Sequence, residues 1–344
     1  MLVLMLLGAT VVIGPLAGRA SPALATPPQT LEAWIYPSSA GQPACDVPAE
    51  LAALAVDPIA VLKPEYLTVN GKNRVVTETV AALPCNGFSA ANLALVRAAA
   101  HRVYVTVSAG TRGTKGVLAS ASRRAAAEAS IESFVTSTGL DGVDLDFEPN
   151  KWSQATWHEY MRFVSDLAGE MRPAGRTVEV DLEPFTTTPW DAERYGDVVA
   201  ANAHVVVMAY DHEFDVACAP ISPYSWLQQV VAYAQSQVPA ASLTIGIPSY
   251  GYTTTTCGKV AHVTTNVAYV TMEDEPGFPT TPTGVGTLRD PGSGEIRWRS
   301  GNVLYDFVDA TALNAKLEVV GAMGVTDVSV WSLGGEPWFS GNPG

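Results

Sequence analysis

The chain has little positive charge. Its 20 Lys and Arg residues stand against 34 Asp and Glu residues, which gives a formal net charge of −14. A protein that binds nucleic acid or an anionic membrane surface needs a basic face, so we expect neither kind of partner. Charged residues make up only 16% of the chain and hydrophobic residues 47%. This composition is typical of a globular protein with a large core, and neutral or cationic substrates fit it best.

Sequence signals for metal, cofactor or phosphate chemistry are missing. The five His residues are scattered, and neither a Cys-x-x-Cys spacing nor a Gly-rich phosphate loop is evident. The pair Asp144 and Asp146 could suggest Ca²⁺, but a calcium loop requires Gly-bearing turns and backbone carbonyl ligands rather than an extended strand. We therefore predict no metal and no cofactor.

The chain has only four cysteines, Cys45, Cys85, Cys218 and Cys257. Their number suits an oxidising compartment and predicts two disulfides, with three connectivities open. Pairing Cys45 with Cys85 and Cys218 with Cys257 is preferred, because each pair falls in loops that follow consecutive predicted strands. Four buried free thiols are the alternative.

Long apolar runs are confined to the first residues of the chain. The run from Leu2 to Leu16 is followed by Ala23-Leu24-Ala25, a small-x-small signature of signal-peptidase cleavage. The run is short for a membrane span, and no later stretch of about 18 apolar residues exists. We predict a signal peptide over 1–25, a mature catalytic domain over 26–344, and an extracellular protein without a membrane anchor after cleavage.

Short apolar, β-branched runs alternate with helical stretches along the chain. This alternation predicts right-handed βαβ units and a parallel sheet, and eight such strands close into a (β/α)8 TIM barrel. The eight runs are Glu32–Tyr36, Ile59–Leu67, Val103–Ser108, Gly142–Phe147, Val178–Leu182, Val205–Tyr210, Leu243–Ile247 and Val325–Trp331. The clearest helices by periodicity are Lys115–Thr136, Ser153–Arg172, Tyr224–Gln237 and Ala310–Val320.

One segment is longer than an ordinary barrel loop. Residues 252–305, between the seventh and eighth predicted strands, are expected to form an insertion. We interpret this insertion as one wall of a cleft, with a plain surface excursion as the alternative.

The segment Asp141–Glu148 reads Asp-Gly-Val-Asp-Leu-Asp-Phe-Glu. In an extended strand, Asp144, Asp146 and Glu148 share one face, with neighbours roughly 7 Å apart, and the opposite face is apolar. Like charges this close in a partly dry site raise the pKa of at least one carboxyl, which can then act as a general acid. A solvated strand edge is the alternative.

Further candidates lie at the carboxyl ends of other strands, where barrel enzymes place their reacting groups. Met208 and Tyr210 share a face of the sixth strand, and Asp211 begins the following loop. An aromatic ring at the floor of a polar cleft can stack on a sugar, which suggests a role for Trp331 on the eighth strand. Plain packing is the alternative for Trp331. It is equally the alternative for Tyr36 and Tyr250, which end the first and seventh strands.

A second set of carboxylates alternates on the fifth predicted strand: Glu179, Asp181 and Glu183. If that face points inward, these residues would add negative charge or sugar contacts in the cleft. Such residues are more often paired with Arg or solvated, so they are left out of the predicted catalytic set.

The acidic motif resembles the signature of glycoside hydrolase family 18, the chitinase family. The pattern D-G-x-D-x-D-x-E is matched in full by Asp141, Gly142, Asp144, Asp146 and Glu148. Asp141 is expected to be structural.

Other segments support this resemblance over residues 31–338. Residues 208–211 are similar to the M-x-Y-D motif, residues 246–251 read Gly-Ile-Pro-Ser-Tyr-Gly, and Trp331 matches the terminal Trp of the eighth strand. Ser108-Ala109-Gly110-Thr111 is a weaker match to S-x-G-G, with Thr in place of the last Gly. The stretch from Glu295 to Trp331 is similar to the branch that includes spore-cortex and cell-wall-lytic members.

The resemblance implies catalysis assisted by the acetamido group of the substrate, an exception to the usual pair of carboxylates that flank the bond. Glu148 would protonate the leaving oxygen and later activate water. Asp146 would hold the acetamido N–H and stabilise the oxazolinium, with Asp144 sharing its proton or charge. Tyr210 would donate a hydrogen bond to the acetamido carbonyl.

The same resemblance implies the substrate contacts. Met208 and Trp331 would line the −1 subsite, and Asp211 would bind a sugar hydroxyl. The expected protein is a monomeric, secreted retaining hydrolase of β-1,4-linked N-acetylglucosamine polymers. Chitin, peptidoglycan and N-glycan cores all stay open as substrates, and so does endo or exo action. The alternative function is that of a chitinase-like carbohydrate-binding protein without turnover.

Overall fold

Eight parallel strands form a closed barrel in the computed structural model, which describes residues 30–35, 59–78, 87–257, 261–263, 275–279 and 281–333. The described strands are β1 (Thr30–Ile35), β2 (Ile59–Pro64), β3 (Leu67–Val69), β4 (Val75–Thr77), β5 (Arg102–Gly110), β6 (Gly142–Glu148), β7 (Thr177–Leu182), β8 (His204–Met208), β9 (Leu243–Pro248), β10 (Gly251–Thr254), β11 (Ala261–Val263), β12 (Ile296–Ser300), β13 (Val303–Phe307) and β14 (Asp327–Leu333).

The barrel strands follow the order β2-β1-β14-β9-β8-β7-β6-β5, and pairing of β2 with β5 closes the ring. All eight predicted strands are present, so the predicted (β/α)8 barrel is confirmed. The short strand β3 pairs with the end of β5 and forms a hairpin with β4 beside the barrel.

From β2 onward, helices connect successive barrel strands and cover the outside of the ring. The described α-helices are α1 (Ala90–Ala99), α2 (Thr111–Leu118), α3 (Ala121–Thr138), α4 (Gln154–Met171), α5 (Tyr195–Ala200), α6 (His212–Asp215), α7 (Tyr224–Gln237), α8 (Pro282–Gly286) and α9 (Ala310–Ala322).

One predicted helix is wrong in its extent, because Lys115–Thr136 is divided between α2 and α3. Ser120 interrupts it as an N-cap whose side chain accepts a hydrogen bond from Arg123 N. Ser hydroxyls stabilise helix N-termini in this way, so the chain starts a new helix there.

The predicted insertion is a second, antiparallel sheet with the order β11-β10-β13-β12. It is attached to the loop after β8 by a disulfide between Cys218 and Cys257, which confirms that predicted pair. The fully buried Glu295 also accepts hydrogen bonds from Ile221 N and Ser222 N and pairs with the Lys316 ammonium at 2.9 Å. The insertion is thus fixed to the mouth side of the barrel.

The two faces of β6 have different environments, as the two-residue period of the strand predicts. Val143, Leu145 and Phe147 are buried in the main hydrophobic core. The ring of Phe147 stacks on Tyr160 of α4, with ring centroids 5.3 Å apart. The acidic residues therefore face the interior of the barrel.

Some predictions lie outside the described residues. These are the signal peptide over 1–25, Tyr36, and the cysteines Cys45 and Cys85. Among the helices that the structure describes, none combines the length and the apolar character needed to cross a bilayer.

Candidate active site

Strand β6 carries its three acidic side chains from the barrel interior to the mouth. Asp144 is fully buried, Asp146 is 9% exposed, and Glu148 ends the strand as an exposed residue. The strand begins at Gly142, where a Cβ atom would lie 2.6 Å from the Tyr104 ring and 2.7 Å from the Thr177 carbonyl oxygen. Only glycine allows the three neighbouring strands to approach this closely.

Asp141 precedes the strand and has a structural contact, as the sequence suggests. Its Oδ2 accepts a hydrogen bond from Val103 N at 2.9 Å, and its carbonyl accepts one from Thr177 N. Asp141 thereby connects β6 to both adjacent strands.

Asp144 is held by donors from three other strands. Its Oδ2 accepts hydrogen bonds from Trp34 Nε1 and Thr106 Oγ1, both at 2.8 Å. The Lys63 ammonium lies 3.7 Å from its Oδ1. These contacts fix the carboxylate at the base of the acidic row.

Lys63 is a fully buried cation that the sequence analysis missed. Its Nζ lies 2.7 Å from Glu32 and 2.5 Å from Glu179, and it also lies over the Trp34 ring. Burial alone would lower the pKa of Lys63, but the attraction of Glu179, Glu32 and Asp144 raises it well above its usual value. The barrel interior thus contains a permanent positive charge.

For Glu179 and Asp181 the inward-facing alternative is correct, and the expectation that they are solvated or paired with Arg is wrong. Both are buried inside the barrel, 3% and 4% exposed, and Glu179 pairs with Lys63. Burial raises the pKa of Glu179 to about 8, with a further contribution from Glu32. Burial, together with Asp144 and Asp146, raises the pKa of Asp181 well above its usual range.

Asp146 lies next to the exposed end of the row. Burial raises its pKa well above the usual value, and repulsion from Glu148, Glu65 and Asp144 adds to this shift. Its Oδ1 is buried and has no hydrogen-bond partner within the described part of the chain. Glu65, which follows β2, is a second residue that the sequence analysis missed, and burial raises its own pKa to about 7.

Glu148 meets the requirements of a general acid. Partial loss of solvation raises the pKa of its carboxyl, and Asp211 across the mouth raises it further. The loop after Glu148 is anchored, because Asn150 N donates to Thr111 Oγ1 at 2.8 Å and Thr111 Oγ1 donates to Asn150 Oδ1 at 2.9 Å. Thr111, which departs from the S-x-G-G pattern, therefore fixes the segment that carries the acid.

Tyr210 faces the same space from the end of β8. It is 7% exposed, and its hydroxyl has no hydrogen-bond partner among the residues described. Its ring stacks on Trp331, with centroids 6.5 Å apart, and Trp331 in turn contacts Trp34 edge-on at 5.6 Å. Half-buried Met208 precedes it on β8. Tyr210, Trp331 and Met208 are therefore brought together as predicted.

The segment Gly246–Gly251 positions these groups. A Cβ atom on Gly246 would lie 3.2 Å from the Trp34 ring, so glycine leaves room for that ring. Ser249 N donates to the Trp331 carbonyl oxygen at 2.8 Å. The Tyr250 hydroxyl donates to Asp211 Oδ1, and Tyr250 is only 8% exposed. Tyr250 thus orients Asp211 and presents little surface to the cleft.

The missed residues share one property: their roles depend on contacts between strands distant in sequence. Lys63 leaves one local signal, a single cation within an apolar run. No group of three or more His, Cys, Asp or Glu side chains that could hold a metal ion occurs in the described ranges.

Comparison with known proteins assigns the chain to a family. The family model "Glycosyl hydrolases family 18" matches residues 49–336. A Bacillus subtilis protein named as the sporulation-specific glycosylase YdhD is 29% identical over 126 residues, which cover 36% of this chain. The matched segment spans 30% of the length of that relative.

Solved structures share the fold. The spore cortex-lytic enzyme SleL of Bacillus megaterium superposes with a TM-score of 0.68 at 15% identity, over 89% of this chain and 70% of the other. A chitinase from Chromobacterium violaceum gives a TM-score of 0.67 at 19% identity, over 91% of this chain and 96% of its own. The match of the family model over most of the chain shows that the protein belongs to glycosyl hydrolases family 18.

Proposed function

We propose that this glycoside hydrolase cleaves β-1,4 bonds of N-acetylglucosamine polymers, chitin or peptidoglycan, with retention of the anomeric configuration. The observation that carries the proposal is a pair of buried polar atoms, Asp146 Oδ1 and the Tyr210 hydroxyl, with no partner in the described residues. Unsatisfied buried polar groups are costly, so their presence at a barrel mouth favours a ligand that satisfies them. An acetamido group offers an N–H to the carboxylate and a carbonyl oxygen to the hydroxyl.

In the proposed first step, the acetamido oxygen attacks C1 of its own sugar while the bond from C1 to the leaving oxygen breaks. Glu148 donates its proton to that oxygen. Asp146 accepts the acetamido N–H and stabilises the oxazolinium, with Asp144 sharing its proton or charge. In the second step, Glu148 removes a proton from water, which attacks C1 and restores the acetamido group.

The position of the carboxylates favours this route over the usual retaining mechanism. Asp146 and Glu148 are neighbours on one face of β6, and a carboxylate pair that straddles the bond would come from opposite sides of the sugar. Trp331 and Met208 would line the −1 subsite, and Asp211, oriented by Tyr250, would bind a sugar hydroxyl.

The cellular setting is part of the proposal. The apolar run from Leu2 to Leu16 and the Ala23-Leu24-Ala25 site support export, and the Cys218–Cys257 disulfide fits an oxidising compartment. We propose a secreted monomer. The names of the relatives, a spore cortex-lytic enzyme and a chitinase, support both substrates.

The Glu148→Gln variant tests the proposal, since glutamine keeps the size of the side chain but cannot donate a proton. We expect kcat on N-acetylglucosamine oligomers and on peptidoglycan to fall by about 10² or more, with unchanged thermal unfolding. The exposed Glu132→Gln on α3 is the matched control and should retain full activity. Near-full activity of Glu148→Gln on both substrates would show that the assignment is wrong.

The same assay distinguishes the proposed hydrolase from the alternative, a carbohydrate-binding protein without turnover. A carbohydrate-binding protein without turnover would retain chitin or peptidoglycan on its surface while wild type releases no reducing ends. Glu148 is present where a non-catalytic relative would lack the acid, so we expect wild type to release reducing ends.

A further inference from the structure

An exposed aromatic residue lies at the mouth of the barrel, outside the site described above. Trp190 belongs to the loop 183–194 that follows β7, and 63% of its surface is exposed. A large apolar ring in contact with water is unfavourable, and exposed aromatic rings at a cleft are typical of binding surfaces.

The loop that carries Trp190 is held in place by hydrogen bonds. Asp191 Oδ2 accepts from Trp152 N at 2.9 Å, and Ala192 N donates to the Trp152 carbonyl oxygen at 3.2 Å. Arg194 Nη1 also donates to the Asp191 carbonyl oxygen at 2.8 Å. The loops after β6 and β7 thus form one unit, and the backbone that carries the indole is ordered before any ligand arrives, which lowers the entropic cost of binding.

A cation lies beside the ring. Lys151 Nζ is 5.5 Å from the centroid of the Trp190 ring, within the range of a cation–π contact. Lys151 is exposed and forms no salt bridge with any Asp or Glu in the described ranges. In a chain with a net charge of −14, a cation without a carboxylate partner at the cleft is available for an anion on the ligand.

The position of the pair relates it to the cleavage site. Lys151 follows Glu148 by three residues, a chain segment that spans at most about 11 Å. Asn150, between them, is fixed to Thr111. A sugar stacked on Trp190 would therefore belong to the same polysaccharide chain as the sugar cleaved at Glu148.

We propose that Lys151 and Trp190 form a subsite for a sugar that carries a carboxylate. The indole stacks on the ring of the sugar, and the ammonium pairs with its carboxylate. This inference rests on the proposed function and narrows its substrate to an N-acetylglucosamine polymer with acidic sugars, in preference to neutral chitin. Peptidoglycan glycan without its peptides is such a polymer, because removal of the peptide frees the lactyl carboxylate.

Two tetrasaccharides test the proposal: the N-acetylglucosamine tetramer, and an alternating N-acetylglucosamine and N-acetylmuramic acid tetramer without peptides. We expect Lys151→Gln to lower kcat/KM on the acidic tetramer about fivefold, the size of an exposed ion pair, and to leave the neutral tetramer within twofold. Lys151→Arg keeps the positive charge and should retain the wild-type ratio of kcat/KM between the acidic and the neutral tetramer. Trp190→Ala should lower kcat/KM on both by about tenfold. The matched controls are Arg172→Gln, at the opposite end of the barrel, and the exposed Leu95→Ala.

Equal losses on both tetramers with Lys151→Gln, or no loss on either, would overturn carboxylate recognition. If Trp190→Ala leaves kcat/KM unchanged on both tetramers, the proposed stacking is wrong. If wild type cleaves neither tetramer, the proposed function fails, and calorimetric titration of both tetramers into wild type and Lys151→Gln still decides the subsite. In that case a weaker affinity of Lys151→Gln for the acidic tetramer alone supports the subsite, and any other result rejects it.

Discussion

The buried ammonium of Lys63 attracts several carboxyl groups inside the barrel. The side chain of Lys63 is fully buried, and those of its partners Glu32, Asp144 and Glu179 are at most 6% exposed. Glu32 and Glu179 lie within 2.7 Å of the Lys63 ammonium. Asp144 also accepts hydrogen bonds from Trp34 and Thr106. We infer that Lys63 maintains the shape of the acidic row below Asp146.

Replacing Lys63 with Met should therefore destabilise the protein strongly, because the substitution leaves buried carboxylates without a counter-charge. Loss of one partner of a buried pair costs about 3–5 kcal/mol. Urea unfolding followed by circular dichroism should show a decrease of this size. The double variant Lys63→Met with Glu32→Gln should recover part of it, because it also removes a carboxylate that Lys63 pairs with. The exposed Lys115→Met is the control. A Lys63→Met variant as stable as wild type would contradict this role.

At the scale of residues, the acidic row of β6 could be predicted and its partners could not. Asp144, Asp146 and Glu148 follow from the two-residue period of one strand, which is local information. Lys63 and Glu65 reach the row only because β2 pairs with β5 when the barrel closes. Such contacts depend on strand order and register, which the sequence pattern does not contain.

Strand β6 depends on close approach at its first residue. A side chain on Gly142 would collide with the Tyr104 ring on β5 and with the Thr177 carbonyl oxygen on β7. The backbone oxygen cannot turn away as a flexible side chain can, so neighbouring strands would have to separate.

The Gly142→Ala variant should lower the free energy of unfolding by about 1–3 kcal/mol, as overpacking in a tight core does. Gly169→Ala in α4 is the matched control, because a Cβ atom there meets nothing within 4 Å. Alanine is the better helix former, so the control should be neutral or more stable by up to about 1 kcal/mol. Denaturant unfolding of both variants measures the difference, and equal effects would disprove the packing argument.

Among the elements, strands were easier to predict than helix boundaries. The eight barrel strands are buried, β-branched runs, and hydrophobicity marks them clearly. The interval 115–136 has alanine on both sides of Ser120, so its composition did not reveal the break there, which a local hydrogen bond determines. The insertion was visible as excess length, but the order of its strands was not, because the pairing of β10 with β13 is non-local.

The whole molecule places acidic groups in its interior, and this affects its stability as a function of pH. Glu179 and Glu65 have pKa values raised from 4.5 to about 8 and about 7 by burial. Above pH 4.5 the unfolded chain releases these protons while the folded chain keeps them, so stability falls until the folded groups titrate. Burial lowers the pKa of His204 from 6.5 to about 4, which decreases stability only as the pH falls below 6.5.

We therefore expect the free energy of unfolding to decrease as the pH rises from 6.5 to 8, by at most about 1.4 kcal/mol per pH unit for each proton retained. Urea unfolding at several pH values measures this slope. Glu179→Gln should flatten it, because glutamine has no proton to retain, and the exposed Glu132→Gln should leave it unchanged. A rise in stability over this interval would contradict the buried, protonated state of Glu179.

The central claim of the proposed mechanism is that the acetamido group of the substrate attacks C1 beside Asp146 and Tyr210. Proton NMR of the anomer first released from the N-acetylglucosamine tetramer, with the de-N-acetylated tetramer in parallel, tests this claim most directly. The proposed mechanism predicts the β anomer first, and no cleavage of the tetramer that lacks acetamido groups. Release of the α anomer first, or equal cleavage of the two tetramers, would contradict it.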